Sequence, residues 1–356
     1  MQVPSPDNFV LDPGLRRECE EAIRAGSKSF LAASMLLPGS SRAAARALYA
    51  FCRVADDLVD ESADAAEGLA EIHARLDAIY RKAPQDHPAD RAFGAVVEHY
   101  AIPRALPAAL IEGFEWDVEN RTYRDCDELC AYAARVASTV GVMMTLIMGV
   151  CDRAVLARAA DLGLAMQLTN IARDVGEDAQ RGRIYLPLDW LDEAGIDPQA
   201  FLADPRPCPA MRATTERLLD SAHVLYARAM TGIAGLPLSC RTAIRSAALI
   251  YREIGREIEL AGHDSVTRRA HTSTRRKLEL IARAAATPFL FQPVSTEPAH
   301  PQVRFLVEAA AAGRTSVPQG FDAKAGRMIE IMALSEIRRR EAEIAELAAE
   351  AAQANA

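Results

Sequence analysis

The chain has 356 residues, half of them apolar and a quarter charged, with a formal net charge of -8. That is a globular composition with ample material for a core, and the lack of any long basic run excludes a nucleic-acid partner, since binding a phosphate backbone requires clustered Lys and Arg. Mild acidity leaves an anionic small-molecule substrate open, because bound metal ions can reverse the local sign. The seven cysteines are odd in number and contain no C-x-x-C pair, which argues against a disulfide framework or a zinc site and for a reducing cytoplasm. The first residues, MQVPSPDNFVLDPG, carry no charged segment followed by an apolar one, so no signal peptide is expected. The longest uncharged stretch, residues 136–151, falls short of the roughly 20 apolar residues that span a bilayer and reads as a buried core helix.

In chain order, apolar residues at helical spacing predict helices near 14–25, 41–61, 65–82, 104–122, 127–150, 153–180, 210–233, 237–262 and 274–286. Ser40 and Ser41 are the expected cap of the second. Breaks fall at Pro38-Gly39, Pro187, Gly195 to Pro198 and Asp204 to Pro209. Strand alternation is nearly absent, and neither G-x-G-x-x-G nor a Walker loop occurs, so a nucleotide-binding α/β fold has no support. After Phe291 the chain reads as a linker around one short helix, then as a charged helix over 324–352. The expected division is a catalytic domain over 1–290 and an appendage over 291–356.

Two helical segments carry the chemistry. In the first, Tyr49, Arg53, Asp56 and Asp60 fall within about 60° of one another at 100° per residue. In the second, Gln167, Asn170, Asp174 and Asp178 span about 80°. Carboxylates one turn apart, about 6 Å along the axis, suit a hard cation with oxygen ligands such as Mg²⁺, which is commonly shared with substrate phosphates. Two such stripes facing each other across a bundle could grip a diphosphate, neutralise it as it leaves, and release an allylic cation into an apolar cavity. One D-x₃-D by itself reads as a solvated helix face, with Arg53 and Arg173 in local ion pairs. The second stripe, however, is flanked by Ala165, Met166, Leu168, Ile171 and Ala172, and buried carboxylates without a partner are costly.

These residues resemble the squalene/phytoene synthase family, nearest its bacterial phytoene-forming members. The resemblance is carried by Gly26 to Phe30 (GSKSF), Tyr49 to Asp60, Tyr132 to Gly141 (YAARVASTVG), Gln167 to Pro187 (QLTNIARDVGEDAQRGRIYLP), Tyr251-Arg252 and Arg268-Arg269. It covers roughly residues 20–285, and the fourth run is its most specific part. The resemblance implies an all-α isoprenoid synthase helical bundle with a central cavity, and Mg²⁺ or Mn²⁺ held by Asp56, Asp60, Asn170, Asp174 and Asp178, with Asp57 assisting. It implies diphosphate contacts from Ser27, Arg53, Gln167, Arg173 and Arg269, catalytic roles for Tyr49, Tyr132 and Tyr251, and a cavity position for Tyr132. Asp117, Arg121 and Tyr123 are further candidates for phosphate or metal contact.

The implied reaction joins two geranylgeranyl diphosphates head to head through a cyclopropyl diphosphate to a C40 hydrocarbon, without NADPH. Peripheral membrane contact is expected from the lipophilic tails and product. Two departures from the family pattern stand out. Gly26 occupies a position where many members have His, and Ser138 replaces a Gly on an expected cavity wall. A squalene, presqualene or diapophytoene synthase using C15 chains is the near alternative, to be decided by pocket length. A terpene cyclase, and a non-catalytic helical scaffold whose stripes only bind cations, are more remote.

Overall fold

The helical period of the sequence becomes helix along the chain, and no strand occurs among the described residues. The structure is a computed structural model describing residues 8–26, 28–60, 65–286 and 293–314. Ser27 and the helix expected over 324–352 lie outside the described residues, as do the side chains of Lys28, Ser29 and Asp60. In order come α1 (Pro13–Gly26), α2 (Lys28–Ser34), α3 (Gly39–Asp60), α4 (Ala65–Tyr80), α5 (Pro88–Tyr100), α6 (Ala105–Val118) and α7 (Cys126–Ala133). A π-helical turn, Ala134–Ser138, leads into α8 (Thr139–Ile147). Then follow α9 (Arg153–Gln180), α10 (Leu188–Glu193), α11 (Pro198–Ala203), α12 (Pro209–Gly232), α13 (Leu238–Leu260), α14 (Thr274–Ala286) and α15 (Arg304–Ala311).

Several prolines that break the sequence pattern turn out to start helices. His87-Pro88, Asp197-Pro198 and Cys208-Pro209 each place a side-chain cap before a proline at the first helical position. Proline is suited to that position because its missing N–H would be unpaired there in any case. The expected Ser40/Ser41 cap is not formed, because α3 begins at Gly39 and both serines fall inside its first turn. Helix α5 is absent from the sequence reading, although Ala89, Ala92, Phe93, Val96, Val97 and Tyr100 give it a buried face. It is also fixed by a bidentate pair, Arg75 to Asp90 at 2.9 and 2.8 Å, with Asp90 fully buried.

Helix α9 is the element on which the others gather: α7, the π turn, α8, α12 and α15 all pack on it. Its first turn is capped by Asp152, whose carboxylate accepts from the Ala154 and Val155 amides. Buried residues occur on nearly every side of it, as expected of a helix inside a bundle. One apolar helical run, Cys126–Ile147, is long enough to cross a membrane by length and composition, but it is two-thirds buried in the bundle and serves as core.

The stretch read as a linker around a short helix carries α15, whose Leu306, Val307 and Ala310 join the common core. Apart from residues 237–239, the described residues form one compact unit.

Candidate active site

A long apolar cavity runs beside α9, walled by that helix with residues of α2, α3, the π turn, α8, α12 and α13. Its α9 wall is a stripe at helical spacing from Val155 through Leu162 and Met166 to Gln167 and Asn170. Tyr49 of α3 and Tyr251 of α13 line the cavity together with Gln167 and Asn170, beside the acidic residues. Burial raises the Tyr49 phenol above its ordinary pKa although Arg53 opposes it, and burial likewise raises Tyr251 against Arg173. Both phenols are therefore neutral at pH 7. Phe30 stacks on Tyr49 with ring centroids 5.6 Å apart.

Close backbone approach shapes these walls. A Cβ at Gly163 would lie 2.5 Å from the Ser138 Cα and 2.7 Å from its nitrogen, so only glycine lets α9 meet the π turn there. Ser138, expected on the cavity wall, is instead fully buried between the turn and α9, with its hydroxyl donating to the Ala160 carbonyl at 2.7 Å. Its side chain satisfies a helix contact and does not narrow the cavity. At Gly26 a Cβ would collide with the Tyr49 hydroxyl, so that tyrosine takes up the room a side chain would need.

The second stripe is tied to a distant loop. The Gly176 amide donates to the Ser265 carbonyl at 2.9 Å, and a Cβ on Gly176 would collide with Val266. Asp264 fixes that loop by accepting from the amides of Val266 and Thr267, and Arg212 holds Asp264 at 3.1 Å. Arg269 is thereby delivered to Asp174 (Nε to Oδ1, 2.8 Å) and to Glu177 (2.7 Å). Arg173 holds the same Asp174 through both carboxylate oxygens at 2.8 and 2.5 Å. Burial alone would raise the Asp174 pKa, but the two guanidiniums outweigh it and hold the carboxyl below its usual range. For Asp178 the opposing pull of Arg181 and Arg183 is outweighed. Burial first, then the charge of Asp174, push it up to about 7.

The first stripe is more open. Arg53 lies 3.5 Å from Asp56 and forms a close pair with Asp57, its Nε donating at 3.0 Å. Asp56 is half exposed, and the Asp60 side chain lies outside the described residues.

Tyr132 is not among the residues lining the cavity. It is 4% exposed, and its hydroxyl donates to Asp117 Oδ2 at 2.9 Å. Tyr185 donates to the other oxygen at 2.8 Å and stacks on Tyr132 with centroids 5.2 Å apart. The sequence reading named Asp117 but missed Tyr185, which stands within the Arg-Gly-Arg-Ile-Tyr-Leu-Pro run and could have been found there. Arg121 lies over the Trp116 ring at 4.0 Å, and Tyr123 is fully buried.

The residues fit a divalent cation. No three His, Cys, Asp or Glu side chains form a metal-binding group among the described residues, which do not include the Asp60 side chain. Asn170 Oδ1 is buried without a hydrogen-bond partner, the state of a donor oxygen prepared for a ligand. Asp178 stays raised beside Asp174 even though Arg181 and Arg183 oppose the shift. All the donors are oxygens, which selects a hard cation over a soft one.

An all-helical bundle with an apolar cavity whose acidic end carries Arg-paired carboxylates and a bare amide oxygen defines an isoprenoid synthase of the all-α class. The chain matches the squalene/phytoene synthase family model over residues 23–276. It is 53% identical over 301 residues to a phytoene synthase of Rhodobacter capsulatus, covering 82% of this chain and 89% of that protein. It is 51% identical over 311 residues to a phytoene synthase of Cereibacter sphaeroides, covering 83% and 88%. The crystal structure of a dehydrosqualene synthase superposes with a TM-score of 0.69 at 30% identity, covering 76% of this chain and 95% of that one. The chain belongs to the squalene/phytoene synthase family, and it is an enzyme of the prenyltransferase type.

Proposed function

We propose that this enzyme is a phytoene synthase, condensing two molecules of geranylgeranyl diphosphate head to head into phytoene through a cyclopropyl diphosphate. The reach of the cavity carries this reading. From Asn170 to Val155 its α9 wall extends fifteen residues, about 22 Å at the helical rise. A C20 tail has sixteen main-chain carbons and a C15 tail twelve, so the C20 tail reaches further along this wall. The longer tail uses the full wall; the shorter would leave its far end unfilled. The phytoene synthases at 53% and 51% identity support the same substrate class.

In this reading Arg53, Arg173 and Arg269, with Ser27 and Gln167, hold the diphosphate oxygens. Asp56, Asp60, Asn170, Asp174 and Asp178 would hold Mg²⁺ or Mn²⁺, which when bound neutralises charge developing on the departing diphosphate. The C1–O bond of one substrate breaks, and the C2=C3 bond of the second attacks the allylic cation. Proton loss closes the cyclopropane, and a second ionisation, rearrangement and proton loss give the hydrocarbon. Tyr49 and Tyr251, neutral and at the polar end, face the cation without quenching it, while Tyr132 acts through Asp117 and Tyr185. The apolar walls exclude water that would trap the cation. The last proton passes to a diphosphate oxygen held by the arginines, so no hydride donor is required.

Labelled C15 and C20 diphosphates, each with and without NADPH, test this. The expected product is a C40 hydrocarbon from C20 with Mg²⁺ or Mn²⁺ alone, unchanged by NADPH. A strong preference for C15 with a reduced C30 product formed only with NADPH would assign the chain to the squalene-forming side of the family. The setting we propose is the cytoplasm, in peripheral contact with a membrane that receives the product. The exposed Leu260 and Leu278 agree with it.

A further inference from the structure

A charged knot closes the far end of the cavity. Arg158, which lines the cavity at that end, has a fully buried side chain, as has Asp161. Arg158 Nε lies 2.8 Å from Asp161 Oδ2, and Arg228 Nε donates to the same oxygen at 3.1 Å. Both guanidiniums then continue outward to one stretch of backbone. Arg158 reaches the carbonyls of Ser295 and Pro298 at 3.4 and 3.3 Å. Arg228 reaches the Pro298 carbonyl at 2.8 Å and the Glu297 carboxylate at 3.2 Å. The Ser295 amide donates to Thr231 Oγ1 at 3.2 Å. Residues 293–298 are thus strapped to α9 and α12.

The strap backs the wall of the cavity. A Cβ on Gly232 would collide with the Arg158 stem, so glycine is what lets that stem pass. A Cβ on Gly235 would collide with Val155 and lie 3.2 Å from Val294 Cγ2. Val155 on the cavity wall and Val294 of the strap therefore both pack at the Gly235 turn. Burying the Arg158 guanidinium and the Asp161 carboxylate, with Arg228 partly exposed beside them, is a poor route to stability, because apolar residues of similar volume would serve as well or better. What the knot supplies is a fixed position for the strap.

We propose that the strap 293–298, tied by Arg158, Asp161 and Arg228, is the stop that sets how long a prenyl tail the cavity accepts, with Val155 meeting the terminal isoprene unit and Val294 backing it. This rests on the reading of the cavity as a C20 tail site. Without the strap the Gly235 turn against Val155 loses Val294 as its support, and a longer tail can push past it. Arg228 does not line the cavity, so its effect on tail length must come through the strap.

The test is a competition among C15, C20 and C25 diphosphates for the wild type, Val155→Phe, Arg228→Gln and the milder Thr231→Val. Val155→Phe is expected to shift the C15-to-C20 preference about tenfold toward C15, a discrimination of the size a shortened apolar pocket gives. Arg228→Gln is expected to raise C25 use relative to C20 about tenfold, with Thr231→Val changing it in the same direction by less and Arg228→Lys partly restoring the wild-type ratio. If folded Val155→Phe and Arg228→Gln keep the wild-type ratios, whatever happens to their melting temperatures, the strap is only structural and the proposal falls. If the wild type makes no C40 hydrocarbon from C20, the functional reading fails instead, and calorimetric binding of the three diphosphates to the same variants still decides the role of the strap.

Discussion

Arg269 and Asp174 stand ninety-five residues apart in the chain, yet their Nε and Oδ1 atoms lie 2.8 Å from each other. With Arg173 on the same carboxylate, two guanidiniums occupy a group that the proposed mechanism assigns to a metal ion. The arginines and a cation therefore compete for Asp174 until a diphosphate draws the guanidiniums away. Arg269→Gln should act in opposite directions on two ligands. Mn²⁺ alone should bind several-fold tighter, because a like charge has gone, while pyrophosphate should bind about tenfold more weakly. Calorimetric titrations of each ligand measure both, and parallel changes in the two affinities would refute the competition.

Asp178 makes stability depend on pH. Its carboxyl is pushed up to about 7, whereas in the unfolded chain it titrates near about 3.9. The folded state holds this proton more tightly, so the stabilisation is complete below about pH 4 and lost as pH rises through about 7. Asp174, held low, has the opposite sign and acts only below that window. Metal-free enzyme should therefore lose thermal stability between about pH 4 and 7, and Asp178→Asn should flatten the profile. At pH 8 added Mg²⁺ should recover the loss in the wild type more than in the variant, because metal binding requires the ionised carboxylate. Melting temperatures measured across this range with and without chelator check the sign; a wild-type profile as flat as that of the variant would refute it.

Asp56→Asn and Asp174→Asn each keep the side-chain shape and remove the charge. Turnover should fall by at least about a hundredfold in each, the scale seen when one electrostatic contact to a developing charge is lost. Circular dichroism should show unchanged helix content. Near-normal activity of both variants at limiting Mg²⁺ would refute the metal-cluster reading.

Gly163→Ala should destabilise the fold directly. The added methyl would meet backbone atoms of Ser138 and Ala137 at 2.5 to 2.9 Å, and backbone cannot turn aside as a flexible side chain can. A cost of about 1–3 kcal/mol is expected, typical of overpacking a closed interface. Denaturant titration measures it, and an unchanged midpoint would mean that α9 and the π turn separate more easily than their contact suggests.

The sequence by itself determined the helices that repeat an apolar face over many turns, and it determined the two stripes, because side chains three and four residues apart share a face whatever surrounds the helix. It also carried the Gln167 to Pro187 run that identifies the family. Local pattern could have found α5 as well, since its apolar residues keep helical spacing from a His-Pro start. Only the tertiary structure decided which distant residues meet: Asp117 with Tyr132 and Tyr185, Arg269 with Asp174, and the 293–298 strap with Arg158 and Arg228. It also turned Ser138 away from the cavity, against the sequence expectation. These outcomes depend on how closely backbones approach at Gly163, Gly176, Gly232 and Gly235, and such distances are set by the packing of whole helices, which no periodicity within one segment encodes.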